Sequence, residues 1–201
     1  GAAAVAQSNN EHTMLLSDMS SLAINAVMEK ALPYKPNQLA GATMLAYSPH
    51  LLCTHPSIPA NNVRELAELS KKKPINLASS GIGSANHLGA VEIALATGMK
   101  FVHVPFRGGA QSIADVAAGN TQLVLNGMLA TLPLVQAGRL KLLGVSKRTR
   151  MALLPDAPTI AEQGYAGFDV SVFFGLVVPA GTPKAAIDKL NQSFADALKQ
   201  P

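Results

Sequence analysis

The stretch Ile75-Asn76-Leu77-Ala78-Ser79-Ser80-Gly81-Ile82-Gly83-Ser84-Ala85-Asn86-His87 decides the fold class. Its apolar start reads as a short buried strand and its glycines as a turn. A stripe at Leu88, Val91 and Leu95 then predicts a helix that ends at Gly98. The pattern recurs at once. Phe101-Val102-His103-Val104 is a strand, Pro105-Phe106-Arg107-Gly108-Gly109 a turn, and Ile113, Val116 and Ala117 mark the next helix. Residues 122–126 form a third strand, a short helical stretch reaches Ala137-Gly138, and residues 140–145 form a fourth strand. Strands and helices alternating at this spacing predict parallel βαβ units and an α/β fold.

Working outward, Thr13-Met14-Leu15-Leu16 predicts a short buried strand and residues 17–21 a polar turn. Residues 22–31 read as a helix stopped by Pro33 and Pro36. Residues 42–46 and 51–54 read as two extended segments punctuated by Pro49 and Pro56. Asn62 and Glu65 form a capping pattern for a helix that buries Val63, Leu66 and Ala67 and is closed by Pro74. Past residue 150, Thr159 and Glu162 cap a short helix ended by Gly164, and residues 170–178 form a long strand. Thr182 is the expected N-cap of the last helix, with Pro183 at its first position and Ile187, Leu190, Phe194 and Leu198 as its buried stripe.

Composition narrows the function classes. Of 201 residues, 48% are hydrophobic and only 14% charged, which excludes a disordered or coiled-coil chain. No apolar run is long enough to span a membrane. A single Cys excludes an internal disulfide and any paired-Cys metal motif. The net charge is +4, and basic residues cluster at Lys71-Lys72-Lys73 and in the stretch holding Arg139, Lys141, Lys147, Arg148 and Arg150. Without interleaved stacking aromatics these read as solvated faces, not a nucleic-acid surface. A positive background still favours anionic small molecules. No basic segment precedes an apolar stretch, so no signal peptide is visible.

The turn from Ser79 to Ser84 follows a strand and opens a helix, which aims free N–H groups and a positive dipole end at one spot. Ser80 and Ser84 add hydroxyls. The turn lacks the Lys-Ser/Thr ending of a P-loop and the third glycine of a dinucleotide fingerprint. It equally suits a plain strand–helix connection with Ser84 as N-cap. Arg107-Gly108 repeats the arrangement at the next turn, which a parallel sheet sets alongside the first. Asn126 ends the following strand on the same rim, and residues 17–21 are expected to face it from another lobe.

Enzymatic readings are thinner. Without a G-x-S-x-G elbow, Ser79 or Ser80 as a nucleophile lacks its usual context, and His87 could serve Ser84 as a base. The alternative that remains is an α/β hydrolase or acyl-transfer enzyme using Ser80 and His87. His87 otherwise orients the turn, and His103 is a hydrogen-bonded core residue. His50, Cys53 and His55 form the chain's one His/Cys cluster, and strand alternation sets His50 apart from the other two, so no metal site and no cofactor are expected.

These stretches, with Leu22-Ala23-Ile24-Asn25, Leu154-Pro155-Asp156-Ala157-Pro158-Thr159 and Phe174-Gly175-Leu176-Val177-Val178-Pro179-Ala180-Gly181-Thr182-Pro183, run in the order of a known family. The sequence resembles the Bordetella uptake gene (Bug) family of periplasmic solute-binding proteins, the receptors of tripartite tricarboxylate transporters. The resemblance implies a type II periplasmic-binding-protein fold, with a first lobe over 1–73 and 170–201 and a second over 74–169. It also implies that the first lobe is truncated at both chain ends. A small organic carboxylate would be captured in an interlobe cleft by Ser17, Ser20, Ser21, Ser79, Ser80, Gly81, Gly83, Ser84, Ala85, Arg107, Gly108 and Asn126. The partners implied are that carboxylate and the permease subunits of a tripartite tricarboxylate transporter, with the receptor a periplasmic monomer. The family usually has Phe-Asp-Asn where this chain has Leu125-Asn126-Gly127.

Overall fold

The computed structural model describes residues 1–10, 12–18 and 20–200, with the side chains of Ser20 and Ser21 outside that description. From the N-terminus the chain forms α1 (Ala2–Ala6), β1 (Leu15–Asp18), a π-helical turn (Ser20–Ile24), α2 (Asn25–Met28), a 3-10 turn (Pro36–Gln38) and the long strand β2 (Leu39–Thr54). There follow α3 (Val63–Lys72), β3 (Ile75–Ser79), α4 (Ala85–Thr97), β4 (Phe101–Pro105), α5 (Gly109–Ala117), β5 (Leu123–Gly127) and α6 (Met128–Gln136). Then come β6 (Lys141–Val145), a 3-10 turn (Ala161–Gln163), β7 (Ser171–Pro179) and α7 (Lys184–Ala197).

Two compact units result. Unit 1 joins Gly1–Tyr47 to Val172–Pro201, and unit 2 is Ser48–Ser171. The division expected at 73/74 falls instead at 47/48, because α3 buries Val63, Leu66 and Ala67 in one cluster with Leu77, Ile93 and Leu123. The return, expected at 169/170, falls at 171/172.

In unit 2, β3 pairs in parallel with β4 and with β5, while β2 runs antiparallel to both β5 and β6. The parallel βαβ reading therefore holds for β3 to β5, and β2 is the strand set against them. This sheet is covered on both faces, which explains the unbroken apolar runs Leu51-Leu52-Cys53 and Leu123-Val124-Leu125. Alternate residues feed two cores. Leu52, Leu77, Leu123 and Leu125 join α3 and α4, whereas Leu51, Cys53, Ala78 and Val124 join α5 and α6. Each such buried aliphatic side chain contributes about 1.5–3 kcal/mol.

In unit 1, β1 pairs antiparallel with β7, with Leu15 opposite Val177 and Asp18 opposite Phe174. Helix α7 lays Ile187, Leu190 and Phe194 against Ala42, Leu176 and Val178.

Several local expectations change. The strand expected at 13–16 begins at Leu15 and takes in Ser17 and Asp18, so the polar turn is half strand and half π-helical turn. Met14 and Leu16 are exposed, not buried. The helix expected over 22–31 shrinks to α2, since Glu29 is already extended. Pro49 does not divide β2, because pairing with β5 starts one residue later, at His50 opposite Gly127, and no ladder N–H is lost there.

Helix α4 turns a different face inward from the one its large residues mark. Ala85, Asn86, Gly89, Ala90 and Ile93 are buried, while Leu88 and Leu95 are exposed. Gly89 is the reason: a Cβ there would stand 2.7 Å from Val170 Cγ1 and 2.8 Å from Leu125 Cδ2, so only a hydrogen lets the helix approach so closely. At α7 the cap is Pro183, not Thr182, whose hydroxyl is buried without a partner. Leu198 lies beyond the last helical residue and is exposed.

Candidate functional site

The site is built where parallel strands end. Ser79 and Pro105 are paired partners at the C-terminal ends of β3 and β4, so the two glycine turns leave the sheet side by side. Phe106 N–H donates to Ser79 O at 2.9 Å and ties the turns together. Gly81 and Gly83 adopt φ of 121° and 76°, conformations that strain any side chain with a Cβ. Ser84 caps α4: its hydroxyl donates to Gly81 O at 2.7 Å and accepts His87 N–H at 3.4 Å. Gly108 holds the same place before α5. The first N–H groups of each helix, at Ala85 and Asn86 and at Gly109 and Ala110, have no acceptor within their own helix.

A line of neutral side chains fixes these two ends. Ser80 Oγ donates to Asn86 Oδ1 at 2.7 Å, and Asn86 Nδ2 donates to Asn126 Oδ1 at 2.9 Å. Gly109 abuts Asn126, since a Cβ there would stand 2.9 Å from Asn126 Oδ1. One buried amide thus touches the starts of both helices. Ser79 is fully buried, with its oxygen 2.5 Å from His103 Nε2 and accepting Gly81 N–H at 3.1 Å. Gly83 N–H donates to His87 Nδ1 at 3.3 Å.

The rim carries no negative side chain. No Asp or Glu occurs in residues 79–87, 105–111 or 125–128. Arg107 is exposed, with its main-chain N–H bonded to Gln111 Oε1 at 3.2 Å. Each of the two helix starts on the rim presents unpaired N–H groups and a positive dipole end.

Of the residues singled out from sequence, Ser79, Ser80, Gly81, Gly83, Ser84, Ala85, Arg107, Gly108 and Asn126 come together on this rim of unit 2. Ser79 supports the turn from inside. Ser17 lies in unit 1, buried on β1, with its hydroxyl donating to Asp18 O at 3.1 Å. The side chains of Ser20 and Ser21 lie outside the described residues. Sequence reasoning missed Asn86. Its signal was the helical spacing that sets it on the face of Ala90 and Ile93, a polar residue on a stripe of small and apolar ones.

All of residues 1–201 match TctC, the tripartite tricarboxylate transporter family receptor. The chain belongs to this family. A UPF0065 protein of Bordetella pertussis (strain Tohama I) is 30% identical over 94% of the chain, which spans 59% of that relative's length. The solved structure of R. palustris Rpa4515 with adipate superposes with a TM-score of 0.93 at 28% identity, covering 99% of this chain and 68% of that one. MatC (Rpa3494) from Rhodopseudomonas palustris, with bound malate, gives 0.91 at 25% identity, with coverage of 99% and 68%.

In this TctC-family chain, the hydrolase arrangement is not assembled. The Ser80 hydroxyl donates to Asn86, and the Nδ1 of His87 is taken by Gly83 N–H. Of the His/Cys cluster, His50 is buried with Nδ1 3.4 Å from Val170 O, and burial lowers its imidazole pKa below the ordinary 6.5. Cys53 is fully buried, and burial pushes its thiol up. Among the described residues no group of three or more His, Cys, Asp or Glu is placed to hold a metal ion, and no helix is long and apolar enough to cross a membrane.

Proposed function

We propose that this chain is the ligand-binding part of an extracytoplasmic receptor that captures a small organic carboxylate and delivers it to the permease of a tripartite tricarboxylate transporter. One observation carries the reading: the N-termini of α4 and α5 sit at the adjacent ends of β3 and β4, tied to one buried amide, with no acid in either turn. Such an arrangement binds a carboxylate through main-chain N–H groups and dipoles, and it needs few cations. Rpa4515 with adipate and MatC with malate support the ligand class.

Each residue has a role in this proposal. Ala85, Asn86, Gly109 and Ala110 supply N–H donors, Ser80 and Asn126 supply side-chain polar groups at the rim, and Arg107 supplies positive charge. Gly81, Gly83, Ser84 and Gly108 shape the turns. Ser17 remains unit 1's proposed contact on the strength of the resemblance. Family membership supports periplasmic placement and a permease partner for the whole receptor.

Titration calorimetry of the intact protein with malate and adipate tests the reading. The expected outcome is binding of at least one of the two, weakened about tenfold or more by Arg107→Ala and by Ser84→Ala, which removes a charge-assisted contact in one case and the turn's cap in the other. Unchanged affinity in both variants would remove the site from this rim. Hydrolysis of activated esters, abolished by Ser80→Ala, would instead favour the acyl-transfer reading.

A further inference from the structure

The two histidines of the rim lie face to face, with ring centroids 3.9 Å apart and planes 17° from parallel. His87 holds a glycine of the turn, and His103 meets the serine that holds the other. His87 Nδ1 accepts the N–H of Gly83 at 3.3 Å, so that nitrogen carries no proton and the ring's hydrogen is on Nε2. His103 Nε2 meets Ser79 Oγ at 2.5 Å, and the same oxygen accepts the N–H of Gly81 at 3.1 Å. Gly81 and Gly83 are the two left-handed residues that aim the turn at the start of α4. Gly83 is therefore held directly by an imidazole, while Gly81 is held by Ser79, whose hydroxyl also lies 3.2 Å from Gly81 O and meets His103.

We propose that the His87–His103 stack is a positioning device for the anion-binding turn, one that works while both imidazoles are uncharged and so makes carboxylate capture pH-dependent. It deepens the reading of this rim as a carboxylate site and rests on it.

Protonating His87 places a new Nδ1–H against the Gly83 N–H, donor facing donor, and that bond is lost. Protonating both rings stacks two cations at 3.9 Å. Few other charges bear on the pair. The turn after β3 and the end of β5 bring no titratable group. Strand β4 brings His103 and, past its end, the exposed Arg107, while along α4 the next titratable residue is Glu92, five positions beyond His87. Burial lowers the pKa of both imidazoles from the ordinary 6.5, and the neighbouring His87 lowers that of His103 further. A charged ring would attract the anion, but both histidines are half-exposed, and water screens that attraction. Loss of the turn's geometry misaligns every donor at once, and it dominates.

The test uses the intact protein, with malate as the probe because its carboxylates stay largely ionised down to about pH 6. Two variants divide the roles. His87→Asn carries an oxygen close to the place of Nδ1 and cannot titrate, whereas His87→Leu has no acceptor. Wild-type affinity should weaken from pH 7.5 to pH 6, by up to about fourfold for one imidazole that titrates below its ordinary value. His87→Asn should bind within about threefold of wild type at the higher pH, with a flat profile, and His87→Leu about tenfold more weakly at both. Without ligand, the Gly83 amide resonance should move as wild type is acidified and stay still in His87→Asn. A Gly83 amide indifferent to pH, a wild-type affinity that rises on acidification, or a His87→Asn profile that follows wild type would overturn the proposal. A Gly83 amide that responds in a protein deaf to malate and adipate would support the bracing role and count against the carboxylate reading.

Discussion

Asn86 Nδ2 donates to Asn126 Oδ1 at 2.9 Å, and both residues are buried. The bond joins the first turn of α4 to the end of β5, and Gly109 at the start of α5 closes against the same amide. Two helix ends are thus set relative to one another by neutral groups, which leaves the positive dipole ends uncompensated and free to meet an anion.

Asn86→Ala should therefore cost stability as well as ligand. It strands a buried acceptor on Asn126 and removes the partner of the Ser80 hydroxyl. A loss of about 1–3 kcal/mol is expected in urea unfolding. Unfolding midpoints equal to wild type would mean that the bond contributes nothing to the fold.

Gly89→Ala should destabilise despite alanine's better helix propensity, worth about 1 kcal/mol in its favour. The added methyl would stand 2.7 Å from Val170 Cγ1, on a stiff β-branched side chain, and 2.8 Å from Leu125 Cδ2. Overpacking of this kind costs about 1–3 kcal/mol. A melting temperature below wild type is the expected result; an increase would mean that α4 has room to shift.

Stability should fall on mild acidification. Burial lowers the pKa of His50, His87 and His103 below the ordinary 6.5, so as pH drops the unfolded chain takes up protons first. The stabilisation is present in full above that unfolded value and declines below it, towards the lowered folded values. Urea midpoints should therefore be lower at about pH 5.5 than at about pH 7.5, before carboxylate protonation sets in.

The fold was legible in the sequence where periodicity and punctuation agree. Ile75-Asn76-Leu77-Ala78 and Phe101-Val102-His103-Val104, each followed by glycines, became neighbouring parallel strands, and Asn62 with Glu65 capped α3 as their spacing required, Asn62 Oδ1 accepting Glu65 N–H at 2.8 Å. It was less legible where tertiary contact overrides local signal. The large residues of α4 mislead because the helix packs through Gly89 and Ala90, and Pro49 misleads because it stands where β2 has yet to begin pairing with β5. The rim's glycines, Ser84 and Asn126 could be picked out, since turn chemistry is written in residue type. His87 could be read as orienting the turn, which its bond to Gly83 matches. Its stacking on His103 and the link from Asn86 to Asn126 could not be read, since those partners stand 16 and 40 positions away.

In the proposed receptor, main-chain N–H groups at the start of α4 hold the carboxylate. Ala85→Pro tests it most directly. Proline at the first helical position removes the N–H without costing a helical bond, and Ser84 already has the φ of −67° and ψ of 156° that a residue before proline adopts. Calorimetric titration of the intact variant with malate and adipate should show affinity at least about tenfold weaker than wild type for the ligand that binds, at an unchanged melting temperature. Wild-type affinity in Ala85→Pro would mean that the Ala85 N–H does not bind the carboxylate.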